Sequence, residues 1–377
     1  MERVNASDLK AREARRLAPP LDISPRGAKA YADQHFPFRP ELAAPAAIRC
    51  SIAVDGSLEA RFQVHLYPLT PQLIWRRAYD KDRYCEYLTQ RELNERFRDI
   101  VVNMFALTAE AKISFVESGP GGEYWQKKLA EVVEELQLRY GPFPNGLTPG
   151  LMKPPTVPDF ASDLAKKAAK VAKTRPGSTG TMLVRYGKPE HIRDLYLRGR
   201  FLAQPATTYS DTDFSSAVRD DERALKVSVA VRRGAILKLA QNPQDMPAEF
   251  KGQRMDFEIT HPGNFWMFCM SAAADPRLFV DFPATACLII KDRAEFVRRV
   301  LASTSKYLPN AVPRYGMVSY IDPVLPKTPR IDIRMSKHFK YAYQNEFRFV
   351  WASADVDPKP TFVEIGDLQD ISEMIEL

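Results

Sequence analysis

The stretch YAYQNEFRFVWA, residues 341–352, decides how the rest of the chain is read. Its alternation predicts a β-strand, since side chains two residues apart share a face. Tyr343, Asn345, Phe347, Phe349 and Trp351 fall on one face. Gln344, Glu346 and Arg348 fall on the other, with Ala342 and Val350 at the ends. Such a strand buries an almost wholly aromatic face while holding an amide, a carboxylate and a guanidinium in a row. That row is either a ladder of paired charges or the floor of an active site.

Size and composition set the frame. At 377 residues the chain exceeds a usual single domain, so two domains are expected. Lys and Arg number 54 against 47 Asp and Glu, a net charge of +7 that favours polyanionic partners, either nucleic acid or a phosphate-bearing cofactor. No run approaches the roughly 20 apolar residues of a membrane span, so no membrane partner is expected. The opening MERVNASDLKAREARR lacks the apolar core of a secretory signal. A cytoplasmic protein is expected, or one delivered into a target cell by a route that uses no such signal. Cys50, Cys85, Cys269 and Cys287 form no CxxC pair and the histidines show no HExxH spacing, so neither a disulfide framework nor a metal is expected.

Along the chain, residues 1–45 read as a Pro-broken arm. Residues 46–140 read as an N-terminal α+β domain of unknown role. It opens on a hairpin, Ile48–Val54 and Leu58–Tyr67, around Asp55-Gly56-Ser57. Helices are expected over 84–107 and 123–139, with a strand at 112–117 closing on the hairpin. The glycines of SGPGGE, 118–123, lack the GK[ST] of a phosphate loop and read as a turn. Residues 141–178 combine a Pro- and Gly-rich linker with the basic helix DLAKKAAKVAK, 163–173. Its Lys166, Lys167, Lys170 and Lys173 form either a solvated face or a contact to nucleic-acid phosphates. From 179 to 377 the pattern turns to short strands: 182–186, 201–206, 224–231, 265–270, 286–290, 315–321 and 361–365. A helix over 189–198 has Pro189 at its start and Gly199 as its stop. Another, over 295–303, follows the capping pair Asp292 and Glu295.

Three short motifs in this half stand in a meaningful order. Leu183-Val184-Arg185-Tyr186-Gly187 lies on its first strand, Thr208-Tyr209-Ser210-Asp211 follows its second, and Gln344-Asn345-Glu346 opens a late one. The order resembles the ADP-ribosyltransferase superfamily, over roughly residues 180–370. That family carries an Arg or His on the first strand, an aromatic or Ser-Thr-Ser motif next, and a catalytic Glu preceded two residues earlier by Gln or Glu. Tyr209-Ser210-Asp211 departs from Ser-Thr-Ser, and Arg185 from the His of the diphtheria-like branch, so the sequence mixes two branches.

The resemblance implies an α+β fold with a C-terminal split β-sandwich of ADP-ribosyltransferase type flanked by helices. It implies NAD as substrate and transfer of ADP-ribose to a macromolecular acceptor, with the basic balance leaning toward RNA or DNA over protein. It also implies a toxin or antiviral-defence effector, with an antitoxin or inhibitor protein as a further partner. Glu346 would be catalytic and Gln344 would orient the acceptor. Arg185 would pair with the dinucleotide, backbone at Tyr186 and Gly187 would grip the nicotinamide amide, and Tyr209 would stack. Arg348 would bind phosphate or hold Glu346 ionised. The physical chemistry agrees: the nicotinamide–ribose bond breaks through an oxocarbenium-like state that a fixed carboxylate stabilises.

Other readings stay open. Glu346 and Arg348 as a plain ion pair is one. A non-catalytic nucleic-acid-binding protein, holding phosphates through Lys166–Lys173 and Lys337–Lys340, is another. A ribonuclease-like toxin using Glu346, Arg348 and His338 is a third. Asp220-Asp221-Glu222 reads as a solvated turn, His338 as a surface residue, and Cys269 as a core thiol before a His261 partner.

Overall fold

The computed structural model describes residues 70–115, 120–141, 158–174, 181–210, 217, 220–230, 254–308, 310–326 and 331–377. The expected arm, the hairpin around Asp55 and most of the linker lie outside them. The helices are α1 (Pro71–Lys81), α2 (Gln90–Met104), α3 (Pro120–Tyr140), α4 (Asp163–Thr174), α5 (Pro189–Arg198), α6 (Arg277–Asp281) and α7 (Arg293–Tyr307). The strands begin with β1 (Phe105–Leu107), β2 (Ile113–Phe115), β3 (Leu183–Gly187), β4 (Arg200–Pro205), β5 (Ala224–Ala230), β6 (Arg254–Thr260) and β7 (Trp266–Ser271). They continue with β8 (Ala286–Ile290), β9 (Val312–Met317), β10 (Ser319–Ile321), β11 (Ser336–His338), β12 (Glu346–Ala352), β13 (Thr361–Glu364) and β14 (Ser372–Glu376). The class is α+β.

Local chemistry explains several boundaries. Thr89 and Glu92 form a full capping box at the start of α2, so that helix begins at Gln90 rather than at Tyr84. Asp292 caps α7 through the Glu295 amide at 3.0 Å. Helix α5 runs from Pro189 to Arg198 and stops at Gly199, whose φ of 61° is left-handed. A Cβ there would overlap the Gly366 carbonyl oxygen, so the position needs glycine twice over.

The chain divides into two compact units. In the first, Met1–Lys81 with Val133–Thr148, Arg76 bonds Glu134 and Gln137, and the Tyr79 hydroxyl donates to Glu135 at 2.7 Å. The second comprises Asp82–Val132 and Pro149–Leu377. The expected division therefore needs correction, because residues 82–132 belong with the C-terminal half. The physical reason is a buried charge. Asp322 receives two 2.7 Å hydrogen bonds from Arg96 of α2, and Lys128 of α3 lies 3.9 Å away. Without those cations the carboxylate would be stranded.

The second unit is built on an eight-stranded sheet ordered β13-β4-β7-β3-β8-β14, with β12 beside β7 and β9 beside β12. Every pairing in it is antiparallel. β12 runs the full length of β7, from Glu346 opposite Ser271 to Trp351 opposite Trp266. The other edge of β7 is shared: β4 takes Met267 and Trp266, and β3 takes Ser271. The sheet thus forks at Phe268–Met270. One face packs Phe268, Phe347, Phe349 and Trp351 against Ile192 and Leu195 of α5 and Phe296 and Val300 of α7. Over β3 and β8 the other face packs Val184, Tyr186 and Cys287 against Ala168 of α4 and Leu278 and Phe279 of α6. β5 pairs with β6, and the short β10 lies parallel to β11.

The opening stretch is only partly a strand. Phe339–Gln344 is a 3-10 helix, Asn345 turns the chain at φ 49°, and β12 begins at Glu346. Asn103 of α2 favours the turn. Its amide donates to the carbonyls of Phe339 and Lys340, and its oxygen accepts from the Tyr343 amide at 2.8 Å. Tyr343 therefore leaves the aromatic face, and Gln344 is not a pleat of the same strand.

Candidate active site

Glu346 and Arg348 lie on the β12 face opposite its aromatic row, and both are buried, Glu346 at 5% and Arg348 at 0% exposure. A carboxylate and a guanidinium inside a protein require counter-charges, and the fold supplies them. Arg348 Nε donates to Glu346 at 2.6 Å, and its Nη2 lies 2.8 Å from Glu222. Lys337 of β11 reaches Glu346 at 3.3 Å and Glu222 at 3.2 Å. Two carboxylates and two cations thus form a square in which each cation meets both anions. Glu222, expected in a solvated turn, is 4% exposed, and Lys337, expected in a phosphate-binding basic loop, is 5% exposed.

The surroundings fix the square. Arg348 also donates to the Arg334 carbonyl at 3.1 Å. The Glu346 amide donates to the Tyr320 hydroxyl at 2.7 Å, tying β12 to β10. Gln344 accepts from Lys337 at 3.3 Å and donates to the Ala217 carbonyl at 2.7 Å. It thus reaches Glu346 through a shared lysine. Lys337 Nζ also sits 4.6 Å from the Tyr341 ring centroid.

Burial alone would raise the Glu346 pKa, but Arg348 and Lys337 outweigh it and hold the carboxyl well below its usual range. The two anions in turn overcome desolvation and keep Lys337 and Arg348 firmly protonated. Asp220, half-buried beside the square, behaves oppositely. Burial and the nearby Glu222 push it up to about 6, against the pull of Lys337, Lys340 and Arg348.

Arg185, Tyr209 and Cys269 form the half-exposed side of the same region. Arg185 fills the fork: its guanidinium donates to the Cys269 carbonyl and lies 5.0 Å from the Phe268 ring centroid. Tyr209, in the 3-10 turn after β4, has its phenol held protonated chiefly by burial, with Cys269, Arg185, Glu222 and Glu346 all acting on it. Burial, with the nearby Glu346 carboxylate, keeps the pKa of the Cys269 thiol high.

The remaining sequence candidates part company. Tyr186 faces away from the square, edge-on to Phe279 at 4.9 Å, with its hydroxyl bonded to Ala273 and Asp275. Gly187 pairs with Ala286 of β8. Among the described residues no strand pairs with the other edge of β3 beyond Val184. Of the two roles expected for Arg348, binding phosphate or holding Glu346 ionised, its enclosed position as a counter-ion fits the second. On α4, Ala165, Ala168 and Ala169 are buried while Lys166, Lys167 and Lys170 are exposed. The side chain of Lys173 lies outside the described residues. His338 is half-buried rather than superficial, its Nδ1 accepting from the Lys340 amide at 3.1 Å. Burial and Lys340 lower its pKa to about 3.

Sequence reasoning missed Glu222 and Lys337 as partners of Glu346. One signal was available: a strand flanked by apolar residues that also carries Glu and Arg must find buried counter-charges elsewhere. Comparison with protein-family models, curated proteins and solved structures returned no match.

Proposed function

We propose that the second unit is a mono-ADP-ribosyltransferase that moves ADP-ribose from NAD to a macromolecular acceptor, in a toxin or antiviral-defence role. One observation carries this reading: Arg185, Tyr209 and Glu346, from three separate motifs, converge on residues 268–271 of β7, with Tyr209 within electrostatic reach of the other two. In this reading the nicotinamide and its ribose enter at the fork between β3 and β4. The edge of β3 at Tyr186 and Gly187, unpaired among the described residues, offers backbone groups to the carboxamide. Tyr209 stacks, and Arg185 meets the dinucleotide.

The C1′–N bond breaks with its electron pair leaving on nicotinamide. The ionised Glu346 stabilises the positive charge that develops on the ribose. The acceptor then attacks C1′, forming the new bond to the ribose, and gives up its proton to solvent water, with Gln344 orienting it. The exposed lysines of α4 suit a nucleic-acid acceptor. A mass increase of one ADP-ribose on RNA or DNA after incubation with NAD and lysate supports this assignment. An adduct on protein alone moves the acceptor class, and RNA shortened without NAD replaces the reading with a nuclease.

A second reading is favoured by burial. The square satisfies its own charges, and as a purely structural knot it would join β11, β12 and the turn before β5 with no chemistry. Glu346→Gln separates the two, since only the transferase reading ties NAD cleavage to that carboxylate.

A further inference from the structure

We infer that Glu222 is the positioning residue of this site: it holds Lys337 and Arg348 in place so that Glu346 can exchange a cation for a ligand. The inference rests on the transferase reading for its kinetic consequence, and on the square alone for its geometry.

Both oxygens of Glu346 are engaged, one by Arg348 at 2.6 Å and the other by Lys337 at 3.3 Å. Each oxygen could still accept a second hydrogen bond. Glu346 is 5% exposed, however, so a pair of ribose hydroxyls reaches it only where a group packed on it moves aside, and the Lys337 contact is the longer of the two. In an ordinary buried ion pair this displacement would strand a cation, at a cost comparable to breaking the pair. Here Lys337 keeps Glu222 at 3.2 Å, and Arg348 keeps it at 2.8 Å. The two carboxylates are therefore not equivalent. Glu346 adjoins Gln344 through Lys337 and acts electrostatically on the half-exposed Cys269. Glu222 sits in the turn that leads into β5, and the adjacent Asp220 donates its amide to the Tyr209 carbonyl at 3.0 Å. The same short turn thus fixes the stacking residue at one end and both cations at the other.

The test compares Glu222→Gln and Glu222→Asp with wild type. Circular dichroism and thermal melting first confirm that each variant unfolds cooperatively. Nicotinamide release should then fall about tenfold to a hundredfold in kcat for Glu222→Gln, the range for a misplaced catalytic group. KM for NAD should change little, and Glu222→Asp should recover part of the loss. A structural role alone would lower melting temperature without this kcat-selective loss, and unchanged kcat in a folded Glu222→Gln protein overturns the inference.

A second readout is independent of NAD. With Glu222 neutral, both cations turn toward Glu346 and Cys269, so iodoacetamide should alkylate Cys269 severalfold faster at pH 8, as measured by peptide mapping. If wild type releases no nicotinamide, the transferase reading fails and the thiol rate alone decides. An unchanged rate in the folded variant then overturns the positioning role.

Discussion

Glu346 and Arg348 were recognisable as a pair on one strand face, because alternation is a property of the local sequence. Their partners were not, since Glu222 and Lys337 arrive from turns and short strands whose packing no local pattern encodes. His338 illustrates the same limit and yields a pH prediction. Its lone pair accepts the Lys340 amide, and Nε2 lies 3.9 Å from Asp99. Burial, Lys340 and Arg96 hold its pKa at about 3, against the opposing pull of Asp322. A histidine with a depressed folded pKa contributes stability that is complete above its unfolded pKa, about 6.5. That contribution is lost as pH falls toward 3. Asp99, raised to about 6 chiefly by burial, works the other way, because protonation through that pH favours its folded form. His338→Asn retains an acceptor for Lys340 without the titration. Its melting temperature should therefore fall less steeply than wild type between pH 6.5 and 4. Equal slopes would contradict the assignment.

At the level of elements, punctuation by Pro, Gly and caps was the most legible signal. Helix α5 matches its predicted limits because Pro189 and Gly199 act within one turn of the chain. β8 also matches, as a short apolar run between breakers. Over 341–345 pattern and structure differ, because a period-two alternation over so few residues is equally compatible with a 3-10 turn. Asn103, more than two hundred residues away in sequence, tips the balance through three hydrogen bonds. β11 and α6 are too short for periodicity to reveal. Gly199→Ala tests the punctuation. The left-handed backbone alone costs about 1–2 kcal/mol, and the overlap with the Gly366 carbonyl adds to it. Urea unfolding should show a loss above about 1 kcal/mol. A loss below half of that would mean the turn relaxes freely.

Across the whole molecule, the α+β class and the basic balance were readable from composition and pattern, whereas the division into units was not. A Pro-rich stretch suggested a boundary, but the buried Arg96–Asp322 pair joins sequence on both sides of it. A fragment of residues 179–377 should therefore fail to fold cooperatively, because Asp322 would lose Arg96 and Lys128 together. Cooperative thermal unfolding of that fragment, near the melting temperature of the full chain, would contradict this. The proposed function rests on the chemistry that Arg185, Tyr209 and Glu346 share around β7. The most direct measurement is nicotinamide release from NAD by the purified 377-residue chain, with cell lysate as acceptor source, beside a folded Glu346→Gln variant. The account predicts release by wild type and a loss of at least about a hundredfold in the variant. No release by wild type, or equal release by both, would contradict it.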